Sequence, residues 1–253
     1  MSCSVYKFKM NNLYTDYVCL TNLVHQYCYA TDQSMTQAGY NNVDCFLGTT
    51  VFDLKTPVVE IAGQVDMINR EIIAIQSPII IFDICEYTNG LESMLTVKSP
   101  HYVNGDLVGV ATYGYLLDKK VLSDYIISLY LSSQRLNIQK KFSGICYRVV
   151  EYYSDFDLTN QESKILFLLG HGKSRKNISE MMSISPRTTE FHIENIKNKF
   201  NLKNKEQVIE FFIYSKLINQ IPFDLVFHKN IISQFKNKFI IEKSYNKNTI
   251  LVD

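Results

Sequence analysis

The sequence has no tryptophan, only five prolines and ten glycines, and no long apolar run. So little proline and glycine excludes collagen-like and low-complexity chains. No apolar stretch approaches the roughly 18 residues that a membrane span requires, and the run at residues 79–82 instead predicts a buried strand. With 46% hydrophobic and 20% charged residues, the chain should fold around ordinary cores.

Cysteine chemistry is also sparse. No two of the six cysteines have CxxC spacing, so neither a zinc knuckle nor a redox pair is indicated. Lys7 and Lys9 are followed by polar and aromatic residues where a signal peptide would need an apolar segment. We therefore expect reduced thiols, a cytoplasmic location and no membrane contact.

Charge of either sign is nearly balanced, at a net +1, but it is unevenly distributed. Residues 1–150 hold 11 basic and 13 acidic residues, whereas residues 151–253 hold 15 basic and 12 acidic residues. A length of 253 residues is enough for two domains. The positive excess belongs to the second of them.

The first part of the chain predicts an α+β domain with an antiparallel sheet. Asn104-Gly105, between two β-rich runs, is the strongest hairpin signal. The predicted elements, in order, are a helix at 13–24, a loop-rich stretch at 31–42, a helix at about 57–75, and strands at 78–87, 91–103 and 106–117.

A helix is then predicted over residues 121–141. Leu122, Ile126, Leu129 and Leu136 lie near heptad spacing, and Ser133 interrupts the stripe. This helix could pair two chains, or it could cover the preceding sheet.

From Leu158 onward the pattern becomes helical. Thr159 followed by Glu162 predicts a capped helix to about residue 169, Ser174 caps a second helix to residue 182, and Ser185-Pro186 begins a third. A fourth helix is expected at about 205–216. The short second and third helices form a helix-turn-helix.

This segment carries the motif Leu158-Thr159-x-x-Glu162, Gly172, Lys176-x-Ile178, Ser185-x-x-Thr188-x-x-x-His192-x-x-x-Ile196-x-x-Lys199-Phe200. Over about residues 156–217 it resembles the LuxR/FixJ-type DNA-binding domain, a four-helix fold. The family usually has Val, Glu, Ala and Leu at the positions of Thr189, Asn177, Ser179 and Phe200. The resemblance implies double-stranded DNA as a partner and a fourth helix that forms a homodimer.

A helical wheel divides the third helix into two faces. The face expected to pack on the other helices contains Thr189, His192, Ile193, Ile196 and Phe200. The opposite face contains Arg187, Glu190, Phe191, Glu194 and Asn198.

We expect base contacts from Glu190, Phe191 and Glu194. A carboxylate can accept a hydrogen bond from a cytosine amino group, and an aromatic ring can contact a thymine methyl. Phe191 could also be an incidental exposed aromatic residue. His192 is a signature position of the family, but its place on the wheel favours packing over a DNA contact.

Phosphate contacts are expected from the cations around this helix. Residues 171–205 hold eight basic and three acidic residues. The resemblance implies backbone contacts at the positions of Thr188 and Lys199. The predicted phosphate contacts are Lys173, Lys176, Ser185, Arg187, Thr188 and Lys199.

The first domain resembles a PAS domain over roughly residues 12–120. Leu47-Gly48-x-x-x-Phe52-Asp53-Leu54 and Asn104-Gly105-Asp106-Leu107-Val108-Gly109-Val110 are similar to recurring PAS phrases. A receiver domain would show alternating βα units with clustered acids, and an acyl-homoserine-lactone domain would contain tryptophans.

The PAS resemblance implies a small-molecule pocket between the sheet and the helical segment. Its expected lining is Ile80, Phe82, Met94, Val110 and Tyr113, although these side chains could simply fill the core. The Asn-x-Cys-Arg context of flavin photochemistry is absent. Haem ligation by His25 or His101 stays open, so the cofactor is unknown.

The sequence thus predicts a PAS-like sensory domain (1–120), a linker or signalling helix (121–155), a LuxR-type domain (156–218) and an extension (219–253) with an added helix around Ile231, Phe235 and Phe239. We expect a dimeric transcriptional regulator with no enzymatic activity. The alternatives are an enzyme, or a protein-interaction scaffold, that uses the helix-turn-helix to localise on nucleic acid.

Overall fold

The computed structural model describes residues 15–138 and 144–227. Of residues 132–138 it describes the backbone alone. Within the described residues, no helix is long and apolar enough to cross a membrane.

A seven-stranded sheet runs through the described residues in the order β2-β1-β5-β4-β3-β6-β7. Neighbouring strands are antiparallel except β6 and β7, which are parallel. The strands are β1 (Tyr17–Asn22), β2 (Tyr27–Ala30), β3 (Ile79–Tyr87), β4 (Gly90–Val103), β5 (Asp106–Leu116), β6 (Ile145–Val150) and β7 (Gln220–Pro222).

The three predicted β-rich runs are confirmed as β3, β4 and β5. Asn104 and Gly105 form the predicted hairpin turn with φ values of 53° and 91°, the left-handed conformation that a two-residue hairpin loop needs. The helices between β2 and β3 are α1 (Asp32–Gln37), α2 (Val43–Phe46) and α3 (Ala62–Ile75). A 3₁₀ turn, Pro57–Ile61, precedes α3, so the predicted helix at 57–75 is also confirmed.

Because α3 packs on β4 and β5, one face of the sheet is covered by this helical segment. The result is the α+β domain with an antiparallel sheet that the sequence predicts.

Two local predictions near the amino terminus are wrong. Residues 17–22 form strand β1 and not a helix, since β1 pairs with both β2 and β5. Its β-branched and aromatic residues favour a strand. The stretch expected to be loop-rich contains α1, which Thr31 caps by accepting a hydrogen bond from the Ser34 N–H.

The long helix predicted from residue 121 begins later, as α4 (Asp124–Ile138). Its described side chains Tyr125, Ile126 and Tyr130 are buried in the main core, and the Tyr130 hydroxyl donates to the Leu91 carbonyl. This part of α4 therefore covers the sheet within one chain. The side chain of Leu136, part of the predicted stripe, lies outside the described residues.

The segment assigned to the linker contains a strand that sequence analysis missed. β6 pairs with β3, and Asp83 lies opposite Cys146. The seven-stranded sheet therefore extends beyond residue 120, although the division of the chain into four units stays a prediction.

The four predicted helices of the carboxy-terminal region are confirmed as α5 (Asn160–Gly170), α6 (Arg175–Met182), α7 (Pro186–Lys199) and α8 (Lys205–Tyr214). Thr159 and Glu162 form the predicted capping box at α5. Ser174 and Ser185 cap α6 and α7, and Pro186 opens α7.

The described part of the predicted extension, residues 219–227, packs against the start of the predicted linker. β7 is followed by a short helix, α9 (Phe223–Val226), and the Ser123 N–H donates to the Val226 carbonyl at 2.9 Å. Buried residues of the sheet, α4, α5, α8 and α9 form one continuous core. The helix predicted around residues 231–239 lies outside the described residues.

Candidate nucleic-acid interface and interior cavity

Helix α7 has one buried face and one exposed face. Thr189, Ile193 and Ile196 are buried, whereas Phe191 is 61% exposed. The packing face predicted by the helical wheel is therefore confirmed. The other face presents a large aromatic side chain to solvent from a helix whose position is fixed by its neighbours.

His192 lies between the two faces and is half-buried. Its ring contacts Phe191 at 5.6 Å between centroids, and its Nδ1 is buried without a hydrogen-bond partner among the described residues. The His192 side chain is therefore partly packed within the domain. Whether it contacts DNA is not tested by the structure, and the preference for packing over a DNA contact stays a prediction.

Both acidic residues predicted to contact bases are in ion pairs. Arg175 Nη1 contacts Glu190 Oε2 across the two helices of the helix-turn-helix. Lys197 Nζ lies 2.8 Å from Glu194 Oε1 on α7 itself. Neither carboxylate therefore presents an uncompensated negative charge to a phosphate backbone.

The predicted phosphate-binding cations differ in whether they already contact other side chains of the protein. Lys176 and Arg187 are exposed and have no ion-pair partner within the part of the chain that is described. Lys173 Nζ lies 5.6 Å from the centroid of the Tyr125 ring on α4. Lys199 Nζ lies 2.9 Å from Glu162 Oε2, so it also has a structural role.

Glu162 explains the position of Lys199. Its carboxylate is buried at the start of α5 and accepts a hydrogen bond from the Thr159 N–H at 2.8 Å. Burial alone would raise the pKa of Glu162, but hydrogen bonds from Thr159 and Lys199 outweigh it and lower the pKa below its usual value. The Lys199 ammonium therefore ties the end of α7 to the beginning of α5.

Ser185 and Thr188 lie together at the exposed amino-terminal end of α7. The Ser185 hydroxyl accepts from the Thr188 N–H at 3.0 Å, and the two hydroxyl oxygens lie 2.8 Å apart. A helix N-terminus favours an anion, so this end of α7 is suited to a phosphate oxygen.

Two departures from the family pattern meet in the core of the helix-turn-helix. Ser179 Oγ lies 2.8 Å from Thr189 Oγ1, and both side chains are buried. The Ser179 hydroxyl also lies 2.8 Å from the Arg175 carbonyl, to which it donates. Where the family usually has two apolar residues, this chain joins α6 to α7 by a hydrogen bond.

The first domain contains a partly open cavity of about 130 Å³ on the sheet face that packs against α3. Its lining comprises Tyr17, Cys19, Tyr27, Ser34, Gln37, Ala38, Phe46, Val51, Leu54, Thr56, Val58, Ile61, Val65, Ile81, Asp83, Tyr87, Met94, Thr96, Lys98, Thr112 and Gly114. Apolar and aromatic walls thus surround a few polar groups, as in small-molecule sites.

Lys98 is the cation of this cavity. It is buried, and its Nζ lies 3.1 Å from Asn69 Oδ1 and 3.0 Å from Thr112 Oγ1. Burial lowers the pKa of Lys98. Two hydrogen bonds to neutral oxygens leave the third ammonium donor available to a further acceptor.

Asp83 is the acid of the cavity. It is buried, and the Tyr87 hydroxyl donates to its Oδ1 at 2.7 Å. Burial raises the pKa of Asp83 to about 7, against hydrogen bonding from Tyr87 and the charge of Lys98. Both charged residues lie inside apolar strand runs, and this interruption is the sequence signal that could have identified them.

Strand alternation separates the predicted pocket residues. Met94 lines the cavity, but Ile80, Phe82 and Tyr113 lie on the opposite face of the sheet, because successive side chains of a strand alternate. Val110 lies on the cavity side but packs in a separate apolar cluster. The prediction combined residues of both faces.

Neither histidine considered for haem lines this cavity. His25 is buried at the β1–β2 turn, where its Nδ1 contacts Asp66. Burial lowers the pKa of His101.

Four capped helices, with an exposed face on the third, define a helix-turn-helix domain of the DNA-binding class. Residues 157–212 match the family of bacterial regulatory proteins of the luxR type. Over these residues the chain carries a LuxR-type domain.

Curated relatives match over the same region. The oxygen regulatory protein NreC of Staphylococcus carnosus is 36% identical over 62 residues, which is 24% of this chain and 29% of NreC. The uncharacterized response regulatory protein YgeK of Escherichia coli is 39% identical over 59 residues, 23% of this chain and 40% of YgeK. The chain therefore spans less than half the length of these relatives.

Solved structures are similar over longer stretches. Vibrio cholerae VqmA is 21% identical, with a TM-score of 0.44, over 82% of this chain and 86% of VqmA. The LOV domain of Aureochrome1 is 16% identical, with a TM-score of 0.33, over 48% of this chain and 92% of that domain.

Proposed function

We propose that the protein is a sequence-specific transcriptional regulator that binds double-stranded DNA as a homodimer and is controlled by a small molecule in its first domain. The observation that carries this proposal is the LuxR-type domain, in which the solvent-facing side of α7 has the exposed Phe191 and lies among basic residues. The division into sensory domain, linker, DNA-binding domain and extension is part of the proposal.

DNA affinity would come from the basic residues around α7. Lys176 and Arg187 are exposed, and phosphate contacts from such residues release counterions and give a salt-dependent affinity. Lys173, Lys199, Ser185 and Thr188 would complete the backbone contacts. Glu190, Phe191 and Glu194 would contact base edges in the major groove.

A second copy of the chain would pair through α8. Its exposed surface includes Ile213 and Tyr214, and Tyr214 is 84% exposed. Ile218, just beyond α8, is also exposed. A two-fold axis through this apolar surface would place two recognition helices on two half-sites.

The signal would bind in the cavity that contains Lys98 and Asp83. A partly open cavity of about 130 Å³ is suited to a small molecule. Lys98 would donate to an acceptor of the ligand, and Asp83, protonated below about pH 7, would donate to another. We infer a small heteroatom-containing ligand with an apolar body, held between the two polar groups.

The effect of ligand binding would be transmitted to the DNA-binding domain through the shared core. Phe167 of α5 packs against Tyr125 of α4 and Tyr147 of β6, with ring centroids 5.7 and 5.6 Å apart. The sensor sheet and the DNA-binding domain are therefore in direct contact, and a rearrangement of the sheet would shift the population of DNA-binding arrangements.

Selection from a randomised duplex library at physiological salt tests the proposal. We expect enrichment of a two-fold symmetric site whose half-site centres are about 10 base pairs apart. Uniform, sequence-independent retention would favour the alternative of an enzyme or scaffold that merely localises on nucleic acid. Footprinting that showed a single asymmetric half-site at saturation would contradict the dimer.

Native mass spectrometry of protein purified from its own host tests the sensory part. A small-molecule adduct should be present in the wild type and lost in Lys98→Met. An adduct retained by Lys98→Met would place the ligand elsewhere.

A further inference from the structure

One ion pair of the helix-turn-helix connects its two helices. Arg175 is the first residue of α6, and Glu190 lies within α7. Arg175 Nη1 contacts only Oε2 of the Glu190 carboxylate, so Oε1 is left without this partner. The side chains are 57% and 42% exposed, and such a pair contributes little to stability.

Buried contacts fix where Arg175 lies. The hydroxyl pair of Ser179 and Thr189 joins α6 to α7 one residue before Glu190 in α7. The Ser179 hydroxyl also donates to the carbonyl of Arg175 itself. The helical turn that begins at Arg175 is therefore tied to the turn of α7 that contains Glu190.

Glu194 has no such restraint from another helix among the residues that the structure describes. Its partner Lys197 lies three residues further along α7, so this pair moves with the helix as a unit. Two acidic residues of α7 are predicted to contact bases. Among the described residues, Glu190 is the one whose carboxylate is held by a residue of another helix, α6.

We propose that Arg175 is a specificity-determining positioning residue. Through Nη1 it holds one oxygen of Glu190 and directs the other toward the major groove, where it accepts a hydrogen bond from a cytosine amino group. Arg175 also compensates the charge that would otherwise repel Glu190 from the phosphates. This inference rests on the proposed DNA-binding function and adds to it a residue that the motif does not identify.

Library selection with matched variants tests the role of Arg175. The set comprises wild type, Arg175→Ala, Arg175→Lys, Glu190→Ala, the double variant Arg175→Ala/Glu190→Ala, and Lys197→Ala as the control for a pair within α7. Base preference should fall at one base pair in Arg175→Ala and at the same base pair in Glu190→Ala. The expected loss is about fivefold or more, the lower limit for one base contact.

The double variant should lose no more preference than Glu190→Ala alone, because the arginine acts through the glutamate. Arg175→Lys should recover part of the preference, since it retains the charge. Lys197→Ala should leave preference at that base pair unchanged.

Two outcomes would overturn this inference about Arg175 but would not contradict the proposed DNA-binding function. If Arg175→Ala weakened binding to all duplexes alike and lowered the salt slope by about one, the arginine would be a phosphate contact. If it changed preference at a different base pair from Glu190→Ala, the arginine would read a base itself. A wild-type protein that selected no sequence would instead refute the proposed function.

Discussion

The two regions of the chain place their charged residues in opposite environments. In the first domain Lys98 and Asp83 are buried inside a small cavity, whereas in the second domain Lys176 and Arg187 project into solvent. A buried charge is costly unless it is compensated, so its protonation state couples to folding and to any ligand. An exposed charge contributes little to stability, and its effect appears when a charged partner binds.

This difference indicates how the two regions respond to their surroundings. The cavity should be sensitive to pH and insensitive to salt, and the surface of α7 should show the reverse. Lys199 is intermediate, since its side chain is partly exposed while that of its partner Glu162 is buried.

The largest expected effect concerns Asp83. Its pKa is raised to about 7 in the folded protein, so between about pH 4 and pH 7 the folded state holds a proton that the unfolded state has lost. The contribution of Asp83 to the free energy of unfolding should therefore decrease as pH rises through this interval, by at most about 4 kcal/mol at 1.36 kcal/mol per pKa unit. Urea unfolding at a series of pH values measures this slope.

Asp83→Asn should largely remove that pH dependence, and Asp106→Asn, at an exposed position, serves as the control. A wild type whose stability changed between pH 4 and pH 7 by the same amount as that of Asp83→Asn would refute a protonated, buried Asp83, because the other carboxylates titrate in both proteins.

The next effect separates the two roles of Lys199. Lys199→Ala removes a hydrogen bond to the buried Glu162 carboxylate and should cost about 1.5–3 kcal/mol of stability. Because the pKa of Glu162 is lowered in the folded state, its stabilisation is present above the unfolded pKa of about 4.3 and is lost as pH falls below it. Chemical denaturation at pH 7 and pH 3 tests both points, with Lys197→Ala as the control.

A Lys199→Ala variant as stable as the wild type would show that the pair with Glu162 is not maintained in solution. Any loss of DNA affinity in this variant would then come from the loss of a phosphate contact and not from a less stable domain.

Lys176→Ala and Arg187→Ala should change DNA binding with little change in stability, within about 0.5 kcal/mol. Each should weaken binding to all duplexes and lower the slope of log affinity against log salt by about one, because one phosphate contact is lost. Fluorescence anisotropy at several salt concentrations measures the slope. A slope equal to that of the wild type would remove the residue from the phosphate-binding set.

The smallest effect concerns the buried hydroxyl pair. Ser179→Ala and Thr189→Val should each cost about 1 kcal/mol or less, because each remaining hydroxyl keeps a backbone carbonyl acceptor. The double variant, which restores the residues usual in the family, should be close to the wild type. A double variant that lost the sum of both single effects would show that the pair has no coupling.

The helices of the second domain could be predicted from sequence because their signals are local. Thr159, Ser174 and Ser185 are capping residues next to periodic apolar positions, and each caps the expected helix. The hairpin at Asn104-Gly105 was predictable for the same reason.

The features that escaped prediction depend on contacts distant in sequence. β1 is a strand because β5, about 90 residues away, pairs with it, and β6 joins the sheet through β3. The cavity lining depends on which face of each strand meets α3, so Ile80 and Phe82 were assigned to the wrong side. The ion pair of Arg175 with Glu190 could not be predicted because the two residues lie on different helices.

Sequence-specific DNA binding is the central claim, and the most direct test is the ratio of two affinities. Full-length protein should be titrated at physiological salt against the duplex enriched from the library and against a scrambled duplex of equal length and composition. The account predicts at least about 10³-fold tighter binding to the enriched duplex. Equal affinity for the two duplexes would contradict it.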